Sequence, residues 1–334
     1  MSDRRLLTLL HISDTHIAEP DAHAAGGRLE PWVRGRFHRG HAWYGFLGHS
    51  SPALESLGRL ARRLRDDEGA QIVHSGDLTS WGGPGQFAAA REILPAALGS
   101  PSALDLAIPG NHDHWPGDGG VFGRPSAALR ETFPVLPWVR RIPLGRGRLL
   151  TLAAIDSDAD VFPWGYARLW GRGRFQSQLA ALDSLLPRPV PGEFRALLLH
   201  HSPWRAQHRL GVSAGSRLAL DAFLPRHDIR VLLCGHVHVP RCEVRACPHG
   251  EVLEARCGTT TQRDFVPAEW LAGARGRLPG LPRNSLLVHR VIEDDGTGDV
   301  WWDVEVQELG RWGFEPVGGR SRIRLLDPRF TLRS

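Results

Sequence analysis

Six short apolar runs, each ending in a cluster of polar residues, recur along this chain. They are Leu6–Ile12, Gln71–His74, Leu104–Ile108, Leu149–Ile155, Arg195–Leu199 and Arg230–Cys234. Each is largely apolar at successive positions and short, the pattern of a strand covered on both faces in an α/β protein. Helical patterns lie between them. Ser50-Ser51-Pro52 offers an N-cap and a proline at the first helical position. Leu54, Leu57, Leu60, Ala61 and Leu64 then fall on one face, with Arg59, Arg62 and Arg63 elsewhere. Phe175–Leu186 reads the same way and Ser216–Leu224 more weakly. After Gly235 the texture changes. Glu251–Arg256, Ser285–Val291 and Val300–Val306 read as strands, and Glu293-Asp294-Asp295-Gly296 turns the last two into a hairpin. The expectation is an α/β fold with a second, more antiparallel sheet assembled late in the chain.

Composition sets the limits around this pattern. With 334 residues, 42% of them hydrophobic and 23% charged, the chain can bury a large core, so intrinsic disorder is excluded as the main reading. The net charge of +5 is mild and comes with no long block of like charge, so a nucleic-acid-binding tail is not indicated. That charge is compatible with an anionic substrate, whereas the fact that all 41 basic residues are arginine carries no functional reading. The run Leu6–Ile12 lacks a cleavage site and no window approaches 18 apolar residues, so a cytoplasmic protein without a membrane span is expected. Cys234, Cys242, Cys247 and Cys257 are too few for a disulfide framework and read as reduced structural cysteines. The alternative is a metal clip of Cys242, Cys247 and His249. The 17 histidines stand out, because histidine is the commonest metal ligand and a near-neutral acid or base.

The polar clusters carry the chemistry. In order they read Asp14-Thr15-His16, Gly76-Asp77, Gly110-Asn111-His112-Asp113, His200-His201 and Gly235-His236-Val237-His238. Ligands of open α/β sheets bind beyond the carboxyl ends of the strands, so five clusters at such ends can converge on one site. Asp14, His16, Asp77, Asn111, His200, His236 and His238 supply only oxygen and imidazole nitrogen, a set suited to Mn, Fe, Zn, Co or Ni. On an extended segment, side chains two apart point the same way, which would let Asp14 with His16, and His236 with His238, face one ion. The glycines before Asp77, Asn111 and His236 allow tight turns and close backbone approach.

Taken together, the five clusters resemble the calcineurin-like metallophosphoesterase superfamily over roughly residues 6 to 292. The resemblance implies a four-layer sandwich of two mixed β-sheets flanked by helices, with a dinuclear metal site at the strand ends. It implies that Asp14, His16 and His238 hold one divalent ion, that Asn111, His200 and His236 hold the other, and that Asp77 bridges both. It gives His112 a catalytic place near the leaving group, with Asp113 orienting it by a hydrogen bond and His201 behind the ligands. The reaction implied is hydrolysis of a phosphoester by attack of a metal-bridging hydroxide.

Leu10-His11-Ile12-Ser13-Asp14-Thr15-His16, Gly76-Asp77-Leu78-Thr79 and Gly258-Thr259-Thr260-Thr261 leading to Asn284-Ser285 are most similar to the bacterial cyclic-nucleotide phosphodiesterase branch. The substrate expected is therefore a cyclic nucleotide or another small phosphodiester. A nuclease or nucleotide-lipid pyrophosphatase with the same centre stays open, as do a non-catalytic binding module and a homodimer. A single domain over residues 1–334 is expected. Residues 19–49, rich in Arg, Trp and His, form an inserted loop placed to cover the site, with Trp164, Tyr166 and Trp170 in a second such stretch. Residues 293–334 make a C-terminal hairpin and tail.

Overall fold

The apolar runs become strands that feed two cores alternately. In the computed structural model these are β1 (Asp3–Ile12), β2 (Gln71–His74), β3 (Trp138–Gly145), β4 (Arg148–Ala154), β5 (Glu193–Leu198) and β6 (Ile229–Cys234). The later strands are β7 (Arg241–Cys247), β8 (Gly250–Arg256), β9 (Ser285–Asp294), β10 (Val300–Leu309) and β11 (Phe314–Leu325). The helices are α1 (Ser51–Glu68), α2 (Pro84–Leu98), α3 (Ala128–Thr132), α4 (Gln176–Leu185) and α5 (Ala214–Arg226). Residues 3–18, 48–115, 125–161, 171–204, 211–262 and 283–325 are described. The loop expected over residues 19–49, apart from Gly48 and His49, lies outside them, as do Trp164, Tyr166 and Trp170.

Two sheets form, in the orders β11-β10-β9-β1-β2 and β3-β4-β5-β6-β8-β7. Each mixes parallel and antiparallel pairs. β1 runs parallel to β2 and antiparallel to β9, while β4, β5 and β6 run parallel to one another. Period-2 alternation shows why both faces of the second sheet are apolar. Leu150, Leu152, Phe194, Ala196, Leu198, Val231 and Leu233 enter one core, shared with the first sheet, α1 and α2. Ala153, Leu197, Leu232 and Cys234 enter another, against Leu179 and Leu182 of α4 and Leu220, Phe223 and Leu224 of α5. Burying one such side chain is worth roughly 1.5–3 kcal/mol, so the two interlocked cores resist sliding of one sheet over the other. The result is the expected sandwich of two mixed sheets flanked by helices.

Two expectations change. Leu104–Ile108 is not a strand. Residues 101–106 form successive turns, and Ala107 makes only an isolated parallel bridge with His74. Serine-rich spacing favours the turn bonds Ala103 N–H to Ser100 O and Asp105 N–H to Ser102 O, and β2 is only four residues long. The late strands do not build a sheet of their own. β9, β10 and β11 extend the sheet begun by β1 and β2, whereas Glu251–Arg256 joins the other sheet as β8. The chain beyond Gly318 is a paired strand as far as Leu325, in antiparallel register with β10, and residues 326–334 lie outside the described region. α2 escaped the helical reading because it is weakly amphipathic; Pro84 opens it and left-handed Gly99 closes it.

Candidate metal centre

Four of the five sequence clusters sit just past a strand end, and the fifth follows an isolated bridge. Asp14 and His16 follow β1, Asp77 follows β2, His200 follows β5, and His236 and His238 follow β6. Asn111, His112 and Asp113 follow the Ala107 bridge. These side chains converge, but not by alternation along an extended segment. Asp14, His16, Asp77, His236 and His238 all adopt left-handed backbone, with φ of 49°, 47°, 54°, 73° and 63°. Among the described residues only Arg146 and Asp228 are other non-glycine cases. Such a conformation costs on the order of 1–3 kcal/mol per residue and persists only where surrounding bonds over-determine it. Here Asp14 N–H donates to Gly76 O (2.9 Å), His16 N–H to Asp77 O (3.1 Å) and Ile17 N–H to Leu78 O (2.8 Å), locking the two loops together.

The glycines leave no room for a side chain. At Gly76, φ is 106°, and an added Cβ would stand 2.5 Å from His200 Nδ1 and 2.8 Å from the Gly110 nitrogen. An added Cβ at Gly110 would collide with the Asp77 carboxylate. Only glycine lets the Asp77, Asn111 and His200 loops close to this distance.

Two groups of donors result, and they share Asp77. Asp14, His16, Asp77 and His238 place ligand atoms within 4.8 Å of one another, and so do Asp77, His200 and His236. His238 Nε2 lies 3.1 Å from Asp14 Oδ1, and His200 Nε2 lies 3.2 Å from Asp77 Oδ2. Asn111 Oδ1 is 3.3 Å from His200 Nε2, which puts it with the second group. All seven side chains are buried. Burial alone would raise the Asp77 carboxyl, yet the His200 and His112 imidazoles hold it well below the usual carboxylate range. His200 is pushed up to about 9, because its burial is outweighed by the Asp77 carboxylate. Burial drives His16 down to about 3 and His236 well below its ordinary value, so both keep neutral rings with available lone pairs. Two buried carboxylates are thus surrounded by imidazoles, an arrangement that attracts positive charge.

The sequence profile of the calcineurin-like phosphoesterases matches residues 7–240. This chain belongs to the calcineurin-like phosphoesterase family. No curated protein matches it. Among solved structures it is similar to GAP50, described as the anchor in the inner membrane complex of Plasmodium, at 11% identity and a TM-score of 0.55, covering 98% of this chain and 93% of that one. It is also similar to a dimetal phosphatase from Danio rerio, at 13% identity and a TM-score of 0.51, covering 94% of this chain and 99% of that one. At such identities the likeness concerns the fold alone.

In this phosphoesterase the buried donors fit metal ions. Both ring nitrogens of His16 and Nε2 of His236 are buried with no hydrogen-bond partner. A buried polar atom left unsatisfied costs about 1–3 kcal/mol, so the one lone-pair nitrogen of each neutral ring is suited to a cation. His200 Nδ1–H donates to Ser75 O at 2.7 Å, which aims Nε2 at Asp77 and Asn111. The donors are oxygen and imidazole nitrogen throughout, which suits borderline divalent ions. By contrast, the clip of Cys242, Cys247 and His249 does not form a site among the described residues. The cysteines are free, and His249 Nε2 pairs with Ile229 O.

The expected bond from Asp113 to His112 is replaced by another arrangement. His112 Nδ1–H donates to Ser80 O (2.9 Å), and its ring stacks on Trp115 with centroids 5.3 Å apart and planes 12° apart. Asp113 instead accepts from Leu78 N, Thr79 N, Thr79 Oγ1 and Gly110 N. Its carboxyl is raised to about 6 by burial and by the nearby Asp77 charge, which those bonds only partly offset. It is a brace between the loop after β2 and the loop that carries Asn111. His201 stands behind the ligands, with Nδ1 against Ser157 Oγ (2.8 Å) and its ring 4.4 Å from that of His236.

Sequence reasoning missed Trp115 and Ser80. Their only signal was nearness to His112 in the chain or to Asp77, which does not distinguish them from ordinary core residues.

Proposed function

We propose that this phosphoesterase hydrolyses a small phosphodiester at a centre of two divalent ions. Asp14, His16 and His238 would hold the first ion, Asn111, His200 and His236 the second, and Asp77 both. The observation that carries this reading is the pair of overlapping donor groups joined by one buried carboxylate. When bound, such ions supply Lewis acidity, polarising phosphoryl oxygens and acidifying water.

The chain's own groups supply the rest. The Ser80 carbonyl fixes Nδ1–H of His112, leaving Nε2 as the atom that exchanges a proton. The Trp115 stack on one face and the His16 ring at 4.8 Å and 82° on another restrict its rotation. His112 is therefore positioned to protonate the departing alkoxide, and the negative charge of a phosphoester beside it favours the protonated ring. A cyclic nucleotide as the natural substrate rests on the motif resemblance of Leu10–His16 and of the threonine run. No helix among the described residues is long and apolar enough to cross a membrane.

The test is a substrate panel with added Mn: bis-p-nitrophenyl phosphate, p-nitrophenyl phosphate, cyclic AMP, a UDP-diacyl sugar and single-stranded DNA. Faster cleavage of the diesters than of the monoester is expected. Two bound metals with no hydrolysis of any of these would overturn the reading in favour of a non-catalytic module. Selective cleavage of DNA with steep salt dependence would replace it with a nuclease.

A further inference from the structure

The run Thr259-Thr260-Thr261 has no part in the reaction so far, yet it is fully buried against the metal centre. Residues 257–262 cross the seam between the two sheets. At one end Cys257 N–H donates to Cys234 O, the last residue of β6 (2.8 Å). Further on, Ser285 N–H, at the start of β9, donates to Thr259 O (2.9 Å), and Asn284 Nδ2 donates to Gln262 O (3.0 Å). The segment is therefore pinned to both sheets by its backbone.

Its side chains reach the loop after β1. Thr259 Oγ1 donates to Asp14 O (2.8 Å) and Thr261 Oγ1 to Thr15 O (2.7 Å). Between them Thr260 N–H donates to Ser13 O (3.0 Å), and Thr260 Oγ1 accepts from Ser13 N–H (3.1 Å). The Thr259 backbone nitrogen also donates to His238 O (3.3 Å). One residue thus touches both loops whose Asp14, His16 and His238 form the first donor group together with Asp77. Those three residues are in left-handed backbone. Their carbonyls leave the sheet ladder at this turn, so an internal donor is required to satisfy them in a buried place.

We infer that Thr259 is a positioning residue of the first metal subsite, its hydroxyl and backbone nitrogen holding Asp14 and His238 in register across the two sheets. The inference rests on the reading of Asp14, His16 and His238 as metal ligands. Thr261 acts on the same loop one peptide further on. Groups that orient metal ligands without touching the ion commonly govern affinity by about 10- to 100-fold.

The test compares Thr259→Val, which keeps the shape and removes the hydroxyl, with Thr259→Ser, which keeps the hydroxyl and removes the methyl. Mn(II) is titrated calorimetrically into the full-length, chelator-stripped protein, and electron paramagnetic resonance distinguishes coupled from isolated Mn(II). Wild type is expected to take up two ions and show a coupled spectrum. In Thr259→Val one of the two steps weakens by about 10- to 100-fold and the spectrum becomes that of an isolated ion, while the other step is unchanged. Thr259→Ser restores wild-type uptake.

Wild-type uptake by Thr259→Val, equal weakening of both steps, or failure of Thr259→Ser to rescue would each overturn the inference. Should Thr259→Val not fold, Thr261→Val and Thr261→Ser bear the same test through the Thr15 carbonyl, with the same outcomes deciding. A wild-type chain that binds no Mn(II) would instead sink the metal-centre reading, and this inference with it.

Discussion

Asp113 and Thr79 face each other across the junction of two site loops. Asp113 Oδ1 accepts from both the backbone nitrogen and the hydroxyl of Thr79, each at 2.8 Å, while Oδ2 accepts from Leu78 N (3.0 Å) and Gly110 N (2.9 Å). A carboxylate can serve four donors at once; an amide presents one oxygen and would turn its own N–H groups on the others. Asp113→Asn is therefore expected to cost about 1–3 kcal/mol of stability, read as a lower urea midpoint at pH 7. A variant of wild-type stability with slowed turnover would reinstate a role beside His112.

His112 is held by Ser80 O and Trp115 and stands outside both donor groups. On the proposed reading, removing its ring would leave the metal ligands in place and withdraw the proton for the leaving group. His112→Ala is expected to retain two metals by elemental analysis. Turnover on alkyl esters should fall about 10²- to 10⁴-fold, and far less on p-nitrophenyl esters, whose leaving group needs no proton. Equal loss on both classes of ester would disprove the assigned role.

Asp77 belongs to both donor groups and also accepts from His112 N–H at 2.8 Å. Asp77→Ala should leave fewer than two metals per chain and lower turnover by at least about 100-fold. Elemental analysis showing two metals in the variant would refute the bridging assignment.

Acid sensitivity is expected from the buried pair His289 and His11. Trp302 Nε1–H donates to His289 Nδ1 (2.9 Å), so His289 presents Nε2–H to His11 Nδ1 (3.2 Å), and His11 Nε2–H meets Ser75 Oγ (2.9 Å). An indole is only a donor, so each ring in this chain must stay neutral. Burial lowers His289 from 6.5 to about 3. The unfolded chain therefore takes up this proton first on acidification. The stability contributed is complete above pH 6.5 and is lost as pH falls toward about 3, by up to ~1.4 kcal/mol per pH unit. His289→Gln, which can still accept from Trp302 and donate to His11, should show a shallower fall in urea stability between pH 6 and pH 5. Equal slopes for the two proteins would contradict it.

The strands and the residues of the candidate centre were largely legible because each is written locally. A buried strand shows as an apolar run, and Asp14, His16, Asp77, Asn111, His200, His236 and His238 are the residue types that bind divalent ions, placed where strands end. The order of these clusters sufficed for the family. What lay beyond local pattern came from contacts between distant segments. Asp14 and His16 converge through left-handed turns held by Gly76, Asp77 and Leu78, not through strand alternation. Asp113 found its partners in Thr79 and Gly110 because the packed loops offered four donors to one carboxylate. The threonine run, singled out in the sequence only as a motif, acquired its contacts because the two sheets meet at residues 257–262. Residue chemistry is a property of the chain alone; which donor meets which acceptor is decided by the packing of two sheets on shared cores, where a buried carbonyl or carboxylate must find a partner.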